Sequence, residues 1–96
     1  FPAAFTGGCT KEMQSFSKDL TKFTEAGAVV FGISTDNVPS LGYWAKEVLK
    51  IDQALLSDFS KKIAQTYGIL APSGVASRTT FVVDQDGKIQ FIEEGS

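Results

Sequence analysis

One short apolar segment, residues 28–34, limits the choice of fold more than any other part of the sequence. Its apolar character is nearly continuous, without the alternation that marks a strand with one face in water. Such a run is typical of a buried parallel strand, which needs a neighbouring strand on each side. We therefore expect a sheet whose faces are covered by helices.

Two amphipathic helices are predicted around this strand. The first runs from about Cys9 to residues 25–27, where Gly27 can adopt the left-handed conformation that ends a helix, and the second follows Pro39. The apolar stripes that predict them are Met13, Phe16, Leu20 and Phe23, then Leu41, Trp44, Ala45, Val48 and Leu49. Each stripe would pack against the sheet or the rest of the core.

The remainder of the chain predicts one more strand, a short helix and a β-hairpin. In order, we expect a strand at 54–57, a short helix capped by Ser57 or Asp58 and ending at Gly68, a loop at 70–77, and strands at 79–84 and 88–93 joined at Asp86-Gly87. This order indicates an α/β fold. A further strand before Phe1 would complete the sheet, so we expect the 96 residues to be one partial domain.

Composition excludes several classes of protein. Nine Lys and Arg residues stand against 11 Asp and Glu residues, a net charge of −2, which disfavours a nucleic-acid partner. No apolar run is long enough to cross a membrane. The chain has no histidine and one cysteine, which removes Ser-His-Asp catalysis, histidine metal sites and internal disulfides. We expect a cytoplasmic protein without a metal or organic cofactor.

The single cysteine, Cys9, falls in the first turn of the first predicted helix. Unpaired backbone N–H groups and the helix dipole favour negative charge there, and hence the thiolate that acts as a nucleophile. A buried structural cysteine is the alternative, because free cysteines are commonly buried. Position alone does not decide between these two interpretations.

The residues around Cys9 resemble the active-site motif of the peroxiredoxins. Pro2, three residues, Thr6, two residues and Cys9 match that motif, and Glu12 stands where many members have Glu. Further segments resemble the family in the same order, at 43–45, 55–59, 64–68 and 74–84. The similarity is strongest to the branch of alkyl hydroperoxide reductase E and the bacterioferritin comigratory proteins. It implies a thioredoxin-like three-layer sandwich with a central mixed sheet, here without the family's first hairpin, central strand and C-terminal helix.

The resemblance also implies a thiol-dependent peroxidase that reduces hydrogen peroxide and organic hydroperoxides. Cys9 would attack the peroxide and pass through a sulfenic acid, while Arg78, the only arginine, and the Cys9 N–H donate to the peroxide. Thr6 would donate its hydroxyl and align the peroxide, Pro2 would shield the sulfenic acid, and Glu12 would orient Arg78. A solvated surface arginine and a solvated first-turn carboxylate are the alternatives for Arg78 and Glu12.

Regeneration of Cys9 needs a thiol from elsewhere. The comigratory type often carries a resolving cysteine five residues after the first, and Gln14 stands there. The resemblance therefore implies a one-cysteine mechanism with an external reductant, a thioredoxin-like protein or a small thiol, and it allows a homodimer.

A non-catalytic alternative is a redox-sensing or interaction domain, with Leu41, Trp44 or Phe5 forming its contact patch. The helical stripes favour a core position for Trp44 and Tyr67. Phe5 could line an apolar entrance to the cysteine.

Overall fold

The computed structural model describes residues 1–51 and 53–95, and its helices and strands alternate as the sequence predicts. The elements are α1 (Gly7–Lys18), α2 (Leu20–Glu25), β1 (Phe31–Ser34), α3 (Val38–Tyr43), a π-helical segment (Trp44–Leu49), β2 (Ala54–Ser57), α4 (Lys62–Thr66), β3 (Thr79–Val83) and β4 (Ile89–Glu94). The predicted strand at 54–57 is confirmed to the residue.

The strands pair in both orientations that a mixed sheet requires. β1 and β2 are parallel, with Phe31 opposite Ala54 and Ser34 opposite Ser57, which confirms the predicted parallel strand. β3 and β4 form the predicted antiparallel hairpin. Within residues 1–51 and 53–95 the two pairs are separate two-stranded sheets, because no described strand bonds to both.

The expected full burial of segment 28–34 is wrong for this chain. Only its last four residues form the strand, and Val29 and Phe31 have exposures of 76% and 54%. Gly32 and Ser34 are buried on the other face. The apolar run predicts a neighbouring strand on each side, whereas β1 pairs with β2 alone among the described strands.

The first predicted helix is divided in two at Asp19. Its backbone angles, φ −97° and ψ 10°, leave the helical region, although its N–H still donates to the carbonyl of Ser15 at 3.3 Å. The ring of Phe23 in α2 packs on that of Phe16 in α1, with centroids 5.9 Å apart. α2 thus continues the apolar stripe at partial burial.

The second predicted helix changes its winding halfway. Asn37 caps α3 by accepting a hydrogen bond from the N–H of Ser40 at 2.8 Å. From Trp44 onward the turns are π-helical, and the segment ends at Lys50 in the left-handed conformation. Trp44 and Leu49 stay buried, while Val48 turns to solvent.

Among the described residues, one buried apolar cluster joins α1 to α3 and the π-helical segment. Its buried members are Phe1, Ala4, Cys9, Met13, Leu41, Trp44 and Leu49. Trp44 is fully buried, as predicted, and its ring centroid lies 5.4 Å from that of Phe1. The predicted core position of Tyr67 is wrong, since Tyr67 is 45% exposed and packs edge-on against Phe81 at the hairpin.

The N-cap residue of α4 is Lys61 rather than the predicted Ser57 or Asp58, but Asp58 supplies the capping hydrogen bonds from three residues earlier. Its carboxylate accepts from the N–H groups of Ile63 at 3.1 Å and Ala64 at 2.7 Å. In the part of the chain that the structure describes, no helix has the length and apolar character that a membrane crossing requires.

Candidate active site

Cys9 lies in the first turn of α1, as the sequence predicts. Thr6 is the N-cap in an extended conformation, and its carbonyl accepts the first helical bond from the N–H of Thr10 at 2.9 Å. The N–H groups of Gly7, Gly8 and Cys9, in the first turn, have no acceptor within the helix. The Cys9 side chain is 1% exposed, although Thr6, Gly7 and Gly8 beside it face solvent.

Arg78, directly before β3, joins Cys9 to Glu12. Its Nη2 donates to Cys9 Sγ at 3.3 Å, and its Nη1 donates to Glu12 Oε1 at 2.6 Å. The side chains of Arg78 and Glu12 are 19% and 21% exposed, so solvent screens this ion pair only in part. The structure therefore brings together the three residues to which the resemblance gave nucleophile, donor and orienting roles.

The charge on Arg78 is secured by its neighbours. Burial alone lowers the pKa of the guanidinium, but the hydrogen bond and charge of Cys9, together with the Glu12 carboxylate, outweigh burial and raise that pKa above its ordinary value. Arg78 thus carries its positive charge throughout the neutral pH range. The structure therefore places a charged hydrogen-bond donor 3.3 Å from Cys9 Sγ.

Gly8 gives the guanidinium its room, and sequence reasoning missed this. A Cβ at Gly8 would lie 3.1 Å from Arg78 Nη2, whereas a Cβ at Gly7 would meet nothing within 4 Å. The sequence predicts a helix from about Cys9, whereas α1 begins at Gly7, so both glycines lie in its first turn. Their different surroundings depend on a side chain 70 positions away and are not visible in the local sequence.

The hydroxyl of Thr6 is oriented differently from the sequence expectation. It donates to the carbonyl oxygen of Ala3 at 2.7 Å, so its proton is committed within the turn and its lone pairs are the groups left for a ligand. Thr6 was expected to donate to the peroxide; this geometry suits it as an acceptor.

Pro2 is half-buried in the extended segment before this turn. Among the described residues, none of the hydrogen bonds or ring contacts joins it to the thiol. Its expected shielding role stays a prediction.

Phe5 lies in the turn between Pro2 and Thr6 with φ +63°, a left-handed conformation that is uncommon for a bulky residue. Its ring is 55% exposed and lies near those of Trp44 and Tyr43, with centroid distances of 6.2 and 6.4 Å. The exposed rings of Phe5 and Tyr43 thus flank the turn that leads to Cys9.

Asp36 is a second residue that sequence reasoning missed. It follows β1, and its carboxylate accepts from the N–H of Ala4, inside the turn that precedes Cys9, at 2.8 Å. A polar residue just after a predicted parallel strand was the available signal, since such strand ends commonly lie at functional sites. Within residues 1–51 and 53–95, no three acidic or cysteine side chains gather closely enough to hold a metal ion.

The fold and the arginine-bonded cysteine define a thiol protein of the thioredoxin-like α/β class. The model of the AhpC/TSA family matches residues 1–92, and the chain belongs to that family. The peroxiredoxin resemblance and the fold class inferred from the sequence are thereby confirmed.

Individual relatives agree with this assignment. The chain is 38% identical over 94 residues to the chloroplastic peroxiredoxin Q of Gentiana triflora, covering 96% of this chain and 43% of that protein. It is 33% identical over 95 residues to alkyl hydroperoxide reductase C of Mycobacterium tuberculosis, covering 96% and 49%. The chain therefore spans about half the length of the curated relatives it matches.

Solved structures show the same similarity. Peroxidoxin BcpB of Mycobacterium tuberculosis superposes with a TM-score of 0.90 at 38% identity, covering 97% of this chain and 62% of that one. The reduced 2-Cys peroxiredoxin of Plasmodium vivax superposes with a TM-score of 0.94 at 29% identity, covering 99% and 62%. The arrangement of helices and strands described above is thus that of peroxiredoxins.

Proposed function

We propose that the protein is a thiol-dependent peroxidase that reduces hydrogen peroxide and organic hydroperoxides through Cys9. One observation supports this most strongly: the Arg78 guanidinium donates both to Cys9 Sγ and to Glu12. A structural cysteine in an apolar core has no need of a charged donor, whereas a nucleophilic thiolate does.

The first step transfers one peroxide oxygen to sulfur. The Cys9 thiolate attacks one oxygen in line, an S–O bond forms, the O–O bond breaks, and the departing oxygen leaves as hydroxide or alkoxide and takes a proton. Sulfur is oxidised by two electrons to the sulfenic acid, and the peroxide is reduced to water or an alcohol. Negative charge moves from sulfur to the departing oxygen, so donors fixed beside both atoms lower the barrier.

The site residues supply those donors and hold them. Arg78 and the backbone N–H of Cys9 donate to the peroxide oxygens, and Glu12 keeps the guanidinium plane in place. Thr6 accepts a hydrogen bond from the O–H of the peroxide, since its own hydroxyl donates to the carbonyl oxygen of Ala3. Pro2 shields the new sulfenic acid from solvent.

A thiol from outside these 96 residues completes the cycle, because they contain one cysteine. The first external thiol attacks the sulfenic acid, releases water and forms a mixed disulfide, and a second thiol then releases the Cys9 thiol. Gln14, five residues after Cys9, is exposed on α1 and has no sulfur to offer. The reductant is a thioredoxin-like protein or a small thiol, as a reducing cytoplasm supplies.

The test uses the protein expressed from its full open reading frame, fully reduced, and mixed with one equivalent of hydrogen peroxide. Sulfenic acid at Cys9 is trapped and measured by mass spectrometry in the wild type, Arg78→Lys and Cys9→Ser. We expect rapid oxidation in the wild type, a loss of about 100-fold or more in Arg78→Lys, and none in Cys9→Ser. Peroxide consumption that survives Cys9→Ser would contradict the proposal.

The same experiment tests the alternative of a redox sensor or interaction domain. That alternative is favoured if Cys9 is oxidised no faster than a free thiol and equally in the wild type and Arg78→Lys. Two of the three residues considered for its contact patch, Leu41 and Trp44, are buried, so Phe5 is the one that remains on the surface.

A further inference from the structure

Asp36 connects the carboxyl end of the parallel strand pair to the turn that precedes Cys9. Its Oδ2 accepts two hydrogen bonds, from the N–H of Ala4 at 2.8 Å and from the hydroxyl of Ser34 at 2.7 Å. Ser34 is 1% exposed, and its oxygen in turn accepts from the N–H of Asp36 at 3.3 Å. The hydroxyl of Ser57 holds the Asp36 carbonyl from the β2 side. The two bonds with Ser34 orient the carboxylate toward the turn, whereas the bond from Ser57 reaches only the backbone carbonyl of Asp36.

The turn that Asp36 binds is one that needs to be held. Ala4 is buried, and the next residue, Phe5, has φ +63°, which a residue with a large side chain adopts only when its surroundings determine it. The bond from Ala4 to Asp36 fixes one side of Phe5, and the bond from Thr6 to Ala3 fixes the other. Together they set where Thr6 caps α1, and hence where the first turn presents Cys9.

From this geometry we propose that Asp36 is a positioning residue of the cysteine site. It acts through Ala4 and Thr6: its carboxylate holds the turn at residues 3–6 so that Thr6 and the first N–H groups of α1 face a peroxide bound at Cys9. The inference rests on the proposed peroxidase function. It assigns to Asp36 no contact with sulfur or substrate.

The test compares Asp36→Ala with Asp36→Asn. The first removes both carboxylate oxygens, and the second keeps one side-chain oxygen at the same distance from the backbone. In the protein from the full open reading frame we expect Asp36→Ala to slow peroxide oxidation of Cys9 about 10- to 100-fold, since small misplacements of aligning groups have effects of this size. Asp36→Asn should restore the rate to within about threefold of the wild type.

Ser57→Ala is the matched control for a merely structural effect. It removes the hydrogen bond to the backbone carbonyl of Asp36 and the acceptor of the Phe59 N–H, and it leaves the bond from the Ala4 N–H to the Asp36 carboxylate in place. The midpoint temperature of thermal unfolding should shift by similar amounts in Ser57→Ala and Asp36→Ala. Only Asp36→Ala should slow the oxidation of Cys9 by peroxide. Alkylation of Cys9 by iodoacetamide, which needs no alignment by Thr6, should not fall in either variant.

Several outcomes would overturn the inference. An unchanged peroxide rate in Asp36→Ala beside a fast wild type would do so, as would an equal loss in Ser57→Ala, or a loss of alkylation that matches the loss of peroxide rate.

If the wild type itself proves slow, the proposed function fails and amide exchange at Ala4 decides the positioning claim. Exchange about tenfold faster in Asp36→Ala than in Ser57→Ala would support the inference that Asp36 holds the turn at residues 3–6, and equal exchange would refute it.

Discussion

Glu12 and Arg78 form an ion pair, with 2.6 Å between Oε1 and Nη1, across 66 positions of sequence. Both side chains are about four-fifths buried. The Glu12 carboxylate binds Nη1 of the guanidinium and leaves Nη2 directed at Cys9 Sγ. The pair therefore fixes the orientation of a donor whose other contact is the sulfur.

Neutralising the Glu12 carboxylate should slow the reaction of Cys9 with peroxide more than it lowers the stability of the fold. In Glu12→Gln the oxygen still accepts, but the charge-assisted bond that orients Arg78 is lost, so we expect peroxide oxidation of Cys9 to slow about three- to tenfold. Stopped-flow measurement of sulfenic acid formation checks this. Glu25→Gln, on the exposed end of α2, is the control and should keep the wild-type rate. Equal rates in both variants would exclude an orienting role for Glu12.

A methyl group at Gly8 should displace the arginine. Its Cβ would lie 3.1 Å from Arg78 Nη2, so the guanidinium must move by a few tenths of an ångström and its bond to sulfur lengthens. We expect Gly8→Ala to oxidise about tenfold more slowly. Gly7→Ala, one residue earlier in the same helical turn, meets nothing within 4 Å and should react as the wild type does. If the two variants react alike, the close approach of Arg78 to Gly8 has no effect on the chemistry.

The core around Trp44 should account for much of the stability of this half of the fold. Trp44 is fully buried against Phe1, and its Nε1 has no hydrogen-bond partner among the described residues. Trp44→Phe therefore removes volume but no hydrogen bond, and we expect it to lower the free energy of unfolding by about 1–2 kcal/mol, against about 3–5 kcal/mol for Trp44→Ala. Urea denaturation measures both. Tyr43→Ala, at the exposed neighbouring position, should change it by less than about 0.5 kcal/mol.

The hairpin should lose stability in acid. Hydrogen bonds from the backbone N–H of Lys88, the side chain of Gln90 and the N–H of Asp86 hold the pKa of Asp84 below its ordinary value of 3.8. Because the folded pKa lies below the unfolded one, this stabilisation is present above pH 3.8 and is lost as the pH falls through the folded pKa. Amide exchange in β3 and β4 should speed up over that acid range in the wild type. Asp84→Asn should lack this acid step, and a step of the same size in both proteins would argue against Asp84 as its source.

Features that depend on near neighbours in the sequence were predictable. The Asp86-Gly87 pair between two strand-like runs located the hairpin, and Asp58, just before α4, was one of two residues predicted to cap that helix. Turn and cap chemistry act over a few residues, so both are visible in the local sequence. The spacing from Pro2 to Cys9 identified the cysteine site because the motif is compact. The partnership of Cys9, Glu12 and Arg78 came from the family resemblance, not from any local pattern.

Features that depend on distant partners were not predictable. The exposure of Phe31 follows from which strands pair with β1, and the exposure of Tyr67 follows from where the hairpin lies. Likewise, Asp36 gains its partner from Ala4, 32 positions earlier. Helix periodicity also missed the change to π-helical turns after Tyr43, and Val48, which an α-helical stripe would bury, is exposed there.

The 69 positions between Cys9 and Arg78 also fix the order in which the site is completed during synthesis. At about 5–20 residues per second, the ribosome adds the arginine roughly 3 to 14 s after the cysteine. Until β3 docks, the nascent chain carries its thiol without the guanidinium, so the reactive centre is assembled only once most of this chain has been translated. Truncated chains that end before Arg78 retain the cysteine but lack the partner that we expect to activate it.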